Sequence, residues 1–326
     1  MLRRKFLAAS LGTMASAMAP PSIQRTGQLF TGATLAFGTT VSVSVVHDDE
    51  RQAAAAIRDA LDQATQVDRL MSIYNPASQV FQLNRDGVLA QPHPHLLTVL
   101  RQAQALSEMT RGAFDITVQP LWQAYRNAAD QSALPSPRQR RQAKLRVDWR
   151  RLAISAERVS LGKAGAAITL NGLAQGYAAD LAMAAVRARG IEHALLDTGE
   201  FSAHGNNGRH PWTLGVLHPR DNDALAAVLC PHGRCVATSG DYASTFTPDF
   251  AHHHIFDPTT GDSPPELASA TVLAPTALLA DGLSTAFMVM GARKAHALAR
   301  SLPAVDLMTI NKRGVVWKSP AFPPAA

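Results

Sequence analysis

Apolar positions recur at helical spacing over several segments of the chain. In Arg51–Met71 they fall at positions 53, 56, 57, 60, 61, 64, 67, 70 and 71, which predicts an amphipathic helix with one face on a core. The Asn75-Pro76 pair closes this segment, because the residue before a proline disfavours helical backbone. The same reasoning predicts helices at Ser78–Asn84, Pro94–Thr110, Trp122–Tyr125 and Leu173–Arg189.

One segment near the C-terminus is apolar on nearly every side. Ala277–Met290 therefore predicts a helix that is buried all round rather than along one stripe. Thr276 provides a start signal and Gly291 a stop signal, and a second helix is expected from Ala292.

Three polar residues interrupt this apolar helix. Asp281 and Thr285 are four residues apart and share one face, with Ser284 beside them. Burying a carboxylate and two hydroxyls is costly unless something satisfies them, and a hard cation such as Mg²⁺ or Ca²⁺ would do so. Alternatively, the carboxylate caps a neighbouring loop and the hydroxyls bond back to their own helix.

Shorter alternating runs predict strands. Gly27–Val46 predicts one or two strands bent at Gly38, and Gln131–Arg151, which is polar, basic and proline-containing, predicts an exposed excursion. Further strands or hairpins are predicted at Arg158–Leu170, Ile191–Leu196, Trp212–Leu217, Ala224–Leu229, Val236–Thr238, Ser269–Leu273 and Asp306–Trp317. Short strands mixed with long helices, without regular βαβ alternation, indicate an α+β fold with a mixed or antiparallel sheet.

Charge and the N-terminus exclude some classes of function. The net charge of +6 includes Arg3, Arg4 and Lys5, without which it is +3, and no basic stripe interleaved with aromatic residues predicts nucleic-acid binding. Paired arginines before a mildly apolar run are typical of a twin-arginine export signal, predicted at residues 1–19. We therefore expect a periplasmic protein with a linker at residues 20–29, a single domain at 30–320 and no later transmembrane span.

The only two cysteines lie close together in Cys230-Pro-His-Gly-Arg-Cys235. In an oxidising compartment this spacing suits a hairpin disulfide. Two idle thiols, or a metal site that includes His232, are the other interpretations; the metal site lacks a second pair of ligands.

Two further passages carry candidate chemistry. Asn171-Gly-Leu-Ala-Gln-Gly176 places glycines at the start of a helix, where free N–H groups favour an anion, although tight packing of the helix on a strand explains the glycines equally well. In the run His252–His254, neighbouring side chains of an extended segment point to opposite faces. A single histidine acting as general base is therefore a sharper hypothesis than a metal cluster, and a surface histidine run is the alternative.

Taken together, these passages resemble the ApbE family of FAD:protein FMN transferases. Seven segments match in family order, and they span Gly38 to Gly291: FGTTVSVSV, VDRLMSIYNP, GAFDITVQPLW, NGLAQGYAAD, ATSGDY, HHHIFDPTTG and ADGLSTAFMVMG.

The resemblance implies an FAD substrate with Mg²⁺ at its diphosphate, and it assigns roles by position. His254 would be the base that deprotonates the acceptor. The metal ligands would be Asp281, Thr285, Ser284 and the backbone carbonyl of Gly172. The residues expected to contact FAD are Phe37, Tyr74, Ala113, Phe114, Asp115, Thr169, Gln175 and Ile255.

The chain departs from the family pattern at four places. At the position of Phe37, family members usually have Met. At the positions of Thr169 and Gln175 they often have Asp and Lys, and many have Gly-Gly where Gly199-Glu200 stands. The segment with Gly199-Glu200 and the leader resemble those of the nitrous-oxide-reductase maturation branch of the family (NosX). The implied partner is an acceptor flavoprotein with a Ser/Thr-Gly-Ala-Thr-like segment, such as a NosR-like protein; FAD diphosphatase activity and a non-catalytic flavin-binding role are the alternatives.

Overall fold

The computed structural model describes residues 27–323, so the predicted leader and most of the predicted linker lie outside the described residues. The helices are α1 (Glu50–Met71), α2 (Gln79–Asp86), α3 (Pro94–Met109), α4 (Gln119–Ala129), α5 (Pro137–Lys144), α6 (Ala174–Ala188) and α7 (Ala277–Ala299). The strands are β1 (Gln28–Ala36), β2 (Thr39–His47), β3 (Val88–Ala90), β4 (Ala153–Ile154), β5 (Arg158–Ser160), β6 (Ala194–Asp197), β7 (Phe201–His204), β8 (Leu214–His218), β9 (Asp221–Leu229), β10 (Cys235–Gly240), β11 (Leu267–Ala274), β12 (Asp306–Asn311) and β13 (Val316–Lys318). No helix among these residues has the length and apolar character needed to cross a bilayer.

An eight-stranded sheet organises the molecule. Its strand order is β1-β2-β6-β7-β10-β11-β12-β13, and each neighbouring pair is antiparallel. A three-stranded sheet β3-β5-β4 and the β8-β9 hairpin complete the described strands. The α+β prediction is confirmed, with an antiparallel rather than mixed sheet.

Both faces of the central strands are covered, and strand alternation explains how. Val236, Leu273 and Met308 pack in one apolar cluster with the β8-β9 hairpin. Their neighbours Ala237 and Val272 point to the other face and belong to the main core with α7. Since every residue of β10 and β11 is buried, these strands lack the alternation of polar and apolar residues that marks a half-exposed strand.

Several sequence predictions need correction. The 131–151 segment is not wholly an irregular excursion, because Ser136 and Gln139 form a reciprocal capping box that starts α5. The hairpin predicted over 158–170 is wrong: β5 is a three-residue strand between β3 and β4, and no strand follows Ser160 in that span. Strands β3 and β7, three and four residues long, were not predicted.

The long helices were predicted well. Helices α1, α3 and α6 begin and end within one residue of their predicted limits. In α7 the backbone leaves helical geometry at Gly291, with φ 75° and ψ 162°, where the sequence predicts a stop and a second helix. This left-handed conformation favours glycine, and the Glu266 carboxylate accepts a hydrogen bond from the next backbone N–H, that of Ala292, at 3.1 Å.

Helices α6 and α7 approach each other unusually closely. A Cβ added to Gly176 would lie 2.3 Å from the backbone oxygen of Ala277, so only glycine fits. One turn further along α6, Asp180 accepts hydrogen bonds from the N–H groups of Ala277 (2.8 Å) and Leu278 (3.0 Å). The first turn of α7 is therefore capped by a carboxylate from its neighbour.

Of the interpretations of the cysteine pair, the structure has two free thiols rather than a disulfide. Cys230 and Cys235 flank the β9-β10 turn as free thiols, and Cys235 is buried with its Sγ 3.5 Å from Ser202 Oγ. Burial raises the pKa of Cys235 to about 11, so this thiol is inert at neutral pH. The spacing of the two cysteines agrees with the turn between β9 and β10, but it does not determine whether a disulfide forms.

The substitution Gly176→Ala tests the helix contact. Alanine gains about 1 kcal/mol over glycine in a helix, but overpacking against a fixed backbone atom costs roughly 1–3 kcal/mol. We expect a net loss of unfolding free energy in urea titrations. Ala184→Ser, at an exposed site on the same helix, is the control and should change it by less than about 0.5 kcal/mol. A Gly176→Ala protein as stable as wild type would contradict this packing.

Candidate functional site

A cavity of about 110 Å³ lies where α7, the start of α6 and the ends of β7 and β10 meet. Nine of the thirteen predicted site residues line it: Ala113, Phe114, Asp115, Thr169, Gly172, His254, Ile255, Asp281 and Thr285. The remaining four, which do not line it, are Phe37, Tyr74, Gln175 and Ser284.

Asp281 is a deeply enclosed carboxylate of the cavity, with 3% of its surface exposed. Its Oδ2 accepts a hydrogen bond from the backbone N–H of Gly176, at 3.1 Å, in the first turn of α6. The residue at the N-cap of α6, Leu173, provides no side-chain cap. The Asp281 carboxylate therefore stabilises the positive end of a neighbouring helix while it lines the cavity.

Hydroxyl groups surround Asp281. The Oγ of Ser239, at the end of β10, lies 2.8 Å from Ser284 Oγ and 3.1 Å from Thr285 Oγ1. Ser284 is fully buried and donates to the backbone oxygen of Asp281 at 2.8 Å. Ser284 thus bonds back to its own helix, as in the alternative interpretation of this segment, whereas Thr285 and Ser239 line the cavity.

The backbone at Gly172 lies against the hydroxyl group of Thr285. A Cβ at this position would lie 2.8 Å from Thr285 Oγ1, so a larger residue would displace the threonine hydroxyl. The predicted role of Gly172 as a backbone ligand is compatible with this close approach.

His254 is held at the cavity by a short antiparallel pairing. Thr245 and His253 form an isolated β-bridge, and the backbone N–H of His254 donates to the carbonyl of Ser244 at 3.0 Å. The Nδ1 of His254 lies 3.1 Å from the same oxygen. Because a carbonyl only accepts, Nδ1 carries a proton, and in the neutral form of the ring Nε2 is the basic nitrogen.

The two preceding histidines have other roles. His252 Nδ1 lies 2.7 Å from Asp262 Oδ1, and His253 is fully buried with Nε2 3.4 Å from the carbonyl of Pro264. Burial lowers the pKa of His253 to about 4, so its ring is neutral at neutral pH. Only His254 lines the cavity.

Two carboxylates fix the loop that carries these histidines. Asp241, fully buried, receives both Nη atoms of Arg220 at 2.7 Å. At the other end Asp262 accepts from Tyr125 Oη at 2.7 Å and from Arg140 Nη1 at 2.6 Å. The loop is therefore tied to α4 and α5 and to the segment after β8, and His254 is positioned between fixed points.

A second buried carboxylate, Asp115, lines the same cavity. Its Oδ1 accepts from the N–H and the hydroxyl of Thr117 at 2.7 and 2.6 Å, and its Oδ2 accepts from the N–H of Trp149 at 3.3 Å. Burial raises its pKa, and these hydrogen bonds act in the opposite direction.

The predicted residues that do not line the cavity make other contacts. Tyr74 is 66% exposed and meets the lining residue Trp122 edge-on, with ring centroids 6.3 Å apart. Phe37 lies in the β1-β2 turn with φ 54° and packs on the main core. Gln175 donates to the backbone oxygen of Thr198 at 2.6 Å, and so supports the turn before Glu200.

Glu200 is a site residue that the sequence did not identify. It lines the cavity at 3% exposure, and its Oε2 accepts from the N–H of Thr238 at 3.1 Å. In the sequence, Glu200 stands out only because many family members have Gly-Gly where Gly199-Glu200 stands. Other lining residues that were not predicted are Ile116, Val118, Gln119, Trp122, Asn171, Ser239, Phe256 and Val289.

The donor set of the cavity fits a hard cation. Asp281, Asp115 and Glu200 contribute three carboxylates, and none of the described lining residues is Lys or Arg. A diphosphate could not enter such a site without a cation to offset the repulsion. Within residues 27–323 no three His, Cys, Asp or Glu side chains group closely enough to hold a metal, so an ion at Asp281 would depend on hydroxyl, carbonyl and substrate oxygens as well.

Comparison with known proteins identifies relatives across most of the chain. The model of the ApbE family matches residues 37–309. An FAD:protein FMN transferase of Salmonella typhimurium is 32% identical over 318 residues, which is 90% of this chain and 88% of the relative. The ApbE protein of Thermotoga maritima has a similar structure (TM-score 0.82, 27% identity, 90% of this chain and 98% of that one). So does the apo flavinyl transferase ApbE of Pseudomonas stutzeri (TM-score 0.75, 28% identity, 91% and 95%).

The buried state of His253 predicts a pH dependence. Its folded-state pKa of about 4 lies below the ordinary value of 6.5, so the unfolded chain binds the extra proton. The stability contributed by His253 is present above pH 6.5 and is lost as the pH falls from 6.5 towards 4. NMR titration should show ring resonances of His253 that do not shift between pH 7.5 and 5.5. A titration midpoint near 6.5 would show that this ring is solvated.

Proposed function

The chain belongs to the ApbE family of FAD:protein FMN transferases, and we propose that it moves FMN from FAD to a threonine hydroxyl of an acceptor protein with Mg²⁺ at the Asp281 site. The observation that carries the proposal is the lining of the cavity, where buried carboxylates and hydroxyls meet one positioned histidine and no cationic side chain is among the described lining residues.

The residues that would hold Mg²⁺ are Asp281 and Thr285, with the backbone carbonyl of Gly172; Ser284, buried behind them, would act only through its hydrogen bonds to the Asp281 oxygen and to Ser239. When bound, the ion would neutralise the diphosphate and stabilise the charge that develops on the leaving group. The eight residues assigned to FAD remain the proposed contacts, with Tyr74 at the mouth of the cavity beside Trp122.

The chemical step is a displacement at the FMN-side phosphorus of FAD. His254 Nε2 takes the proton of the acceptor hydroxyl as its oxygen attacks. The new P–O bond forms a phosphodiester between FMN and the acceptor, while the bond to the AMP oxygen breaks and AMP leaves. The Ser244 carbonyl, at 3.1 Å from Nδ1, orients the ring for this transfer.

The finer assignment rests on the sequence. The twin-arginine-type leader at residues 1–19 supports export to the periplasm, and the Gly199-Glu200 wording supports the nitrous-oxide-reductase maturation branch. The acceptor would then be an envelope flavoprotein of that system with a Ser/Thr-Gly-Ala-Thr-like segment.

Incubation of the purified protein with FAD, Mg²⁺ and such an acceptor domain tests the function directly. Transfer adds the mass of FMN to the acceptor and releases AMP. Free FMN with AMP and an unmodified acceptor would instead indicate a diphosphatase. Unchanged FAD would indicate a flavin-binding protein without turnover.

Asp281→Asn tests the proposed metal site. The amide keeps the size of the side chain but loses the charge, so we expect Mn²⁺ affinity, measured by electron paramagnetic resonance, to fall at least about tenfold and turnover to be lost. Ser284→Ala is the control; because Ser284 does not line the cavity, it should retain most of the Mn²⁺ affinity. Wild-type affinity and turnover in Asp281→Asn would remove the ion from this site.

His254→Ala should reduce transfer by roughly 10²–10⁴, the usual contribution of a positioned general base. The affinity for FAD should change little, and the rise of rate with pH near neutrality should disappear. His252→Ala, which loses the Asp262 contact but no cavity-lining group, should be milder. Equal losses in the two variants would contradict the assignment of the base.

A further inference from the structure

A second cavity, of about 470 Å³, adjoins the first. Its walls come from α2, α4, α5 and the segment 165–167, and we call it the carboxamide groove because six Asn or Gln side chains line it: Asn84, Gln119, Gln123, Asn127, Gln139 and Gln142. Gln119, at the start of α4, is the one described residue that lines both cavities. The two cavities therefore meet at Gln119.

The side chain of Gln119 has no hydrogen-bond partner in the described part of the protein, and its amide atoms reach solvent, because Trp149 Nε1 and Ser269 Oγ are the buried side-chain atoms without a partner among the described residues. Only 8% of the residue is exposed, yet within residues 27–323 its carboxamide makes no hydrogen bond. An amide that faces two cavities and is left unsatisfied by the protein is available to a ligand that reaches from one cavity to the other.

Four of the other five carboxamides are already used within the described chain, and Asn84 donates to the backbone oxygen of Ile168 at 2.8 Å and accepts from its N–H at 2.7 Å. Gln123 and Asn127 bond to each other at 2.6 Å, and Gln139 is used in the cap of α5. The side chain of Gln142, like that of Gln119, has no hydrogen-bond partner among the described residues. A carboxamide offers a donor and an acceptor, as a peptide group does, so the free amides suit an extended backbone.

Charge narrows the choice of ligand. Two arginines and no carboxylate line the groove among the described residues. Arg85 is already paired with Asp86 at 2.7 Å, whereas Arg146 forms no ion pair within the described chain. The exposed guanidinium of Arg146 would attract a segment with carboxylates rather than a basic one.

FAD is an unsuitable occupant of the groove. None of the eight residues assigned to FAD lines it, while five of them line the catalytic cavity. The groove is thus left to the second substrate, whose hydroxyl must reach the same reacting phosphorus from another side.

We propose that the carboxamide groove binds an extended, acidic segment of the acceptor protein and that Gln119 holds the backbone of this segment where it enters the catalytic cavity. This inference rests on the proposed function, since it assigns the binding site of the acceptor in that reaction. It makes Gln119 and Arg146 determinants of acceptor binding rather than of FAD binding.

Two charge-reversal substitutions, one on α5 and one in the segment after it, test acceptor binding separately from the chemical step. Arg146→Glu changes a groove residue, and Arg141→Glu makes the same change at an exposed position of α5 outside the groove. The probe is a purified acceptor domain that carries a Ser/Thr-Gly-Ala-Thr segment. Transfer is measured by intact mass at varied acceptor concentration, and FAD affinity by flavin fluorescence.

We expect Arg146→Glu to raise the KM for the acceptor about tenfold, an effect that shrinks at high salt because the contact is screened. The Kd for FAD should stay within about twofold of wild type, as expected for a residue remote from FAD. Arg141→Glu should match wild type. Gln119→Leu, which removes the amide at similar volume, should also raise the KM for the acceptor.

An unchanged KM for the acceptor in Arg146→Glu and in Gln119→Leu would overturn the proposal. Weaker FAD binding in Arg146→Glu would overturn it as well, and would assign the groove to FAD. If the wild-type protein itself transfers no FMN to the acceptor, the proposed function fails, which is a separate and recognisable result.

Discussion

The contact between α6 and α7 is the constraint on which the site depends. A carboxylate buried in an apolar helix needs a partner, and Asp281 finds one in the N–H of Gly176 at the uncapped start of α6. This bond requires the helices to approach so closely that residue 176 has no room for a Cβ. Asp180 fixes the same approach from the other direction by capping α7.

The position of His254 depends on the anchored ends of its loop rather than on a helix or a strand. The loop of His254 is irregular, yet it is anchored by Asp241 at one end and Asp262 at the other, with a short bridge between Thr245 and His253. Such anchoring lets a loop hold a side chain in a fixed orientation, as the proposed role of His254 as a base would require.

Sequence reasoning succeeded where a signal is local. The helical periods of α1 and α3, the stop at Gly291 and the Asp281-Thr285 spacing are all local properties of the chain, and the structure has each of them. It failed where tertiary pairing decides. The four-residue strand β7 exists because β6 and β10 flank it, and Glu200 reaches the cavity only through that pairing. The Cys230–Cys235 spacing predicted a turn, but bond formation depends on side-chain geometry that spacing does not encode.

Helix dipoles alone cannot explain how this cavity would accept a diphosphate. The positive end of α6, which the sequence marks as an anion site, is already occupied by the Asp281 carboxylate. A phosphate placed there would share a poorly solvated cavity with Asp281, Asp115 and Glu200. A divalent cation would reverse this relation, because the carboxylates would then serve as its ligands or counter-charges. On the proposed function, the same arrangement that stabilises α6 would make binding of the nucleotide depend on the metal.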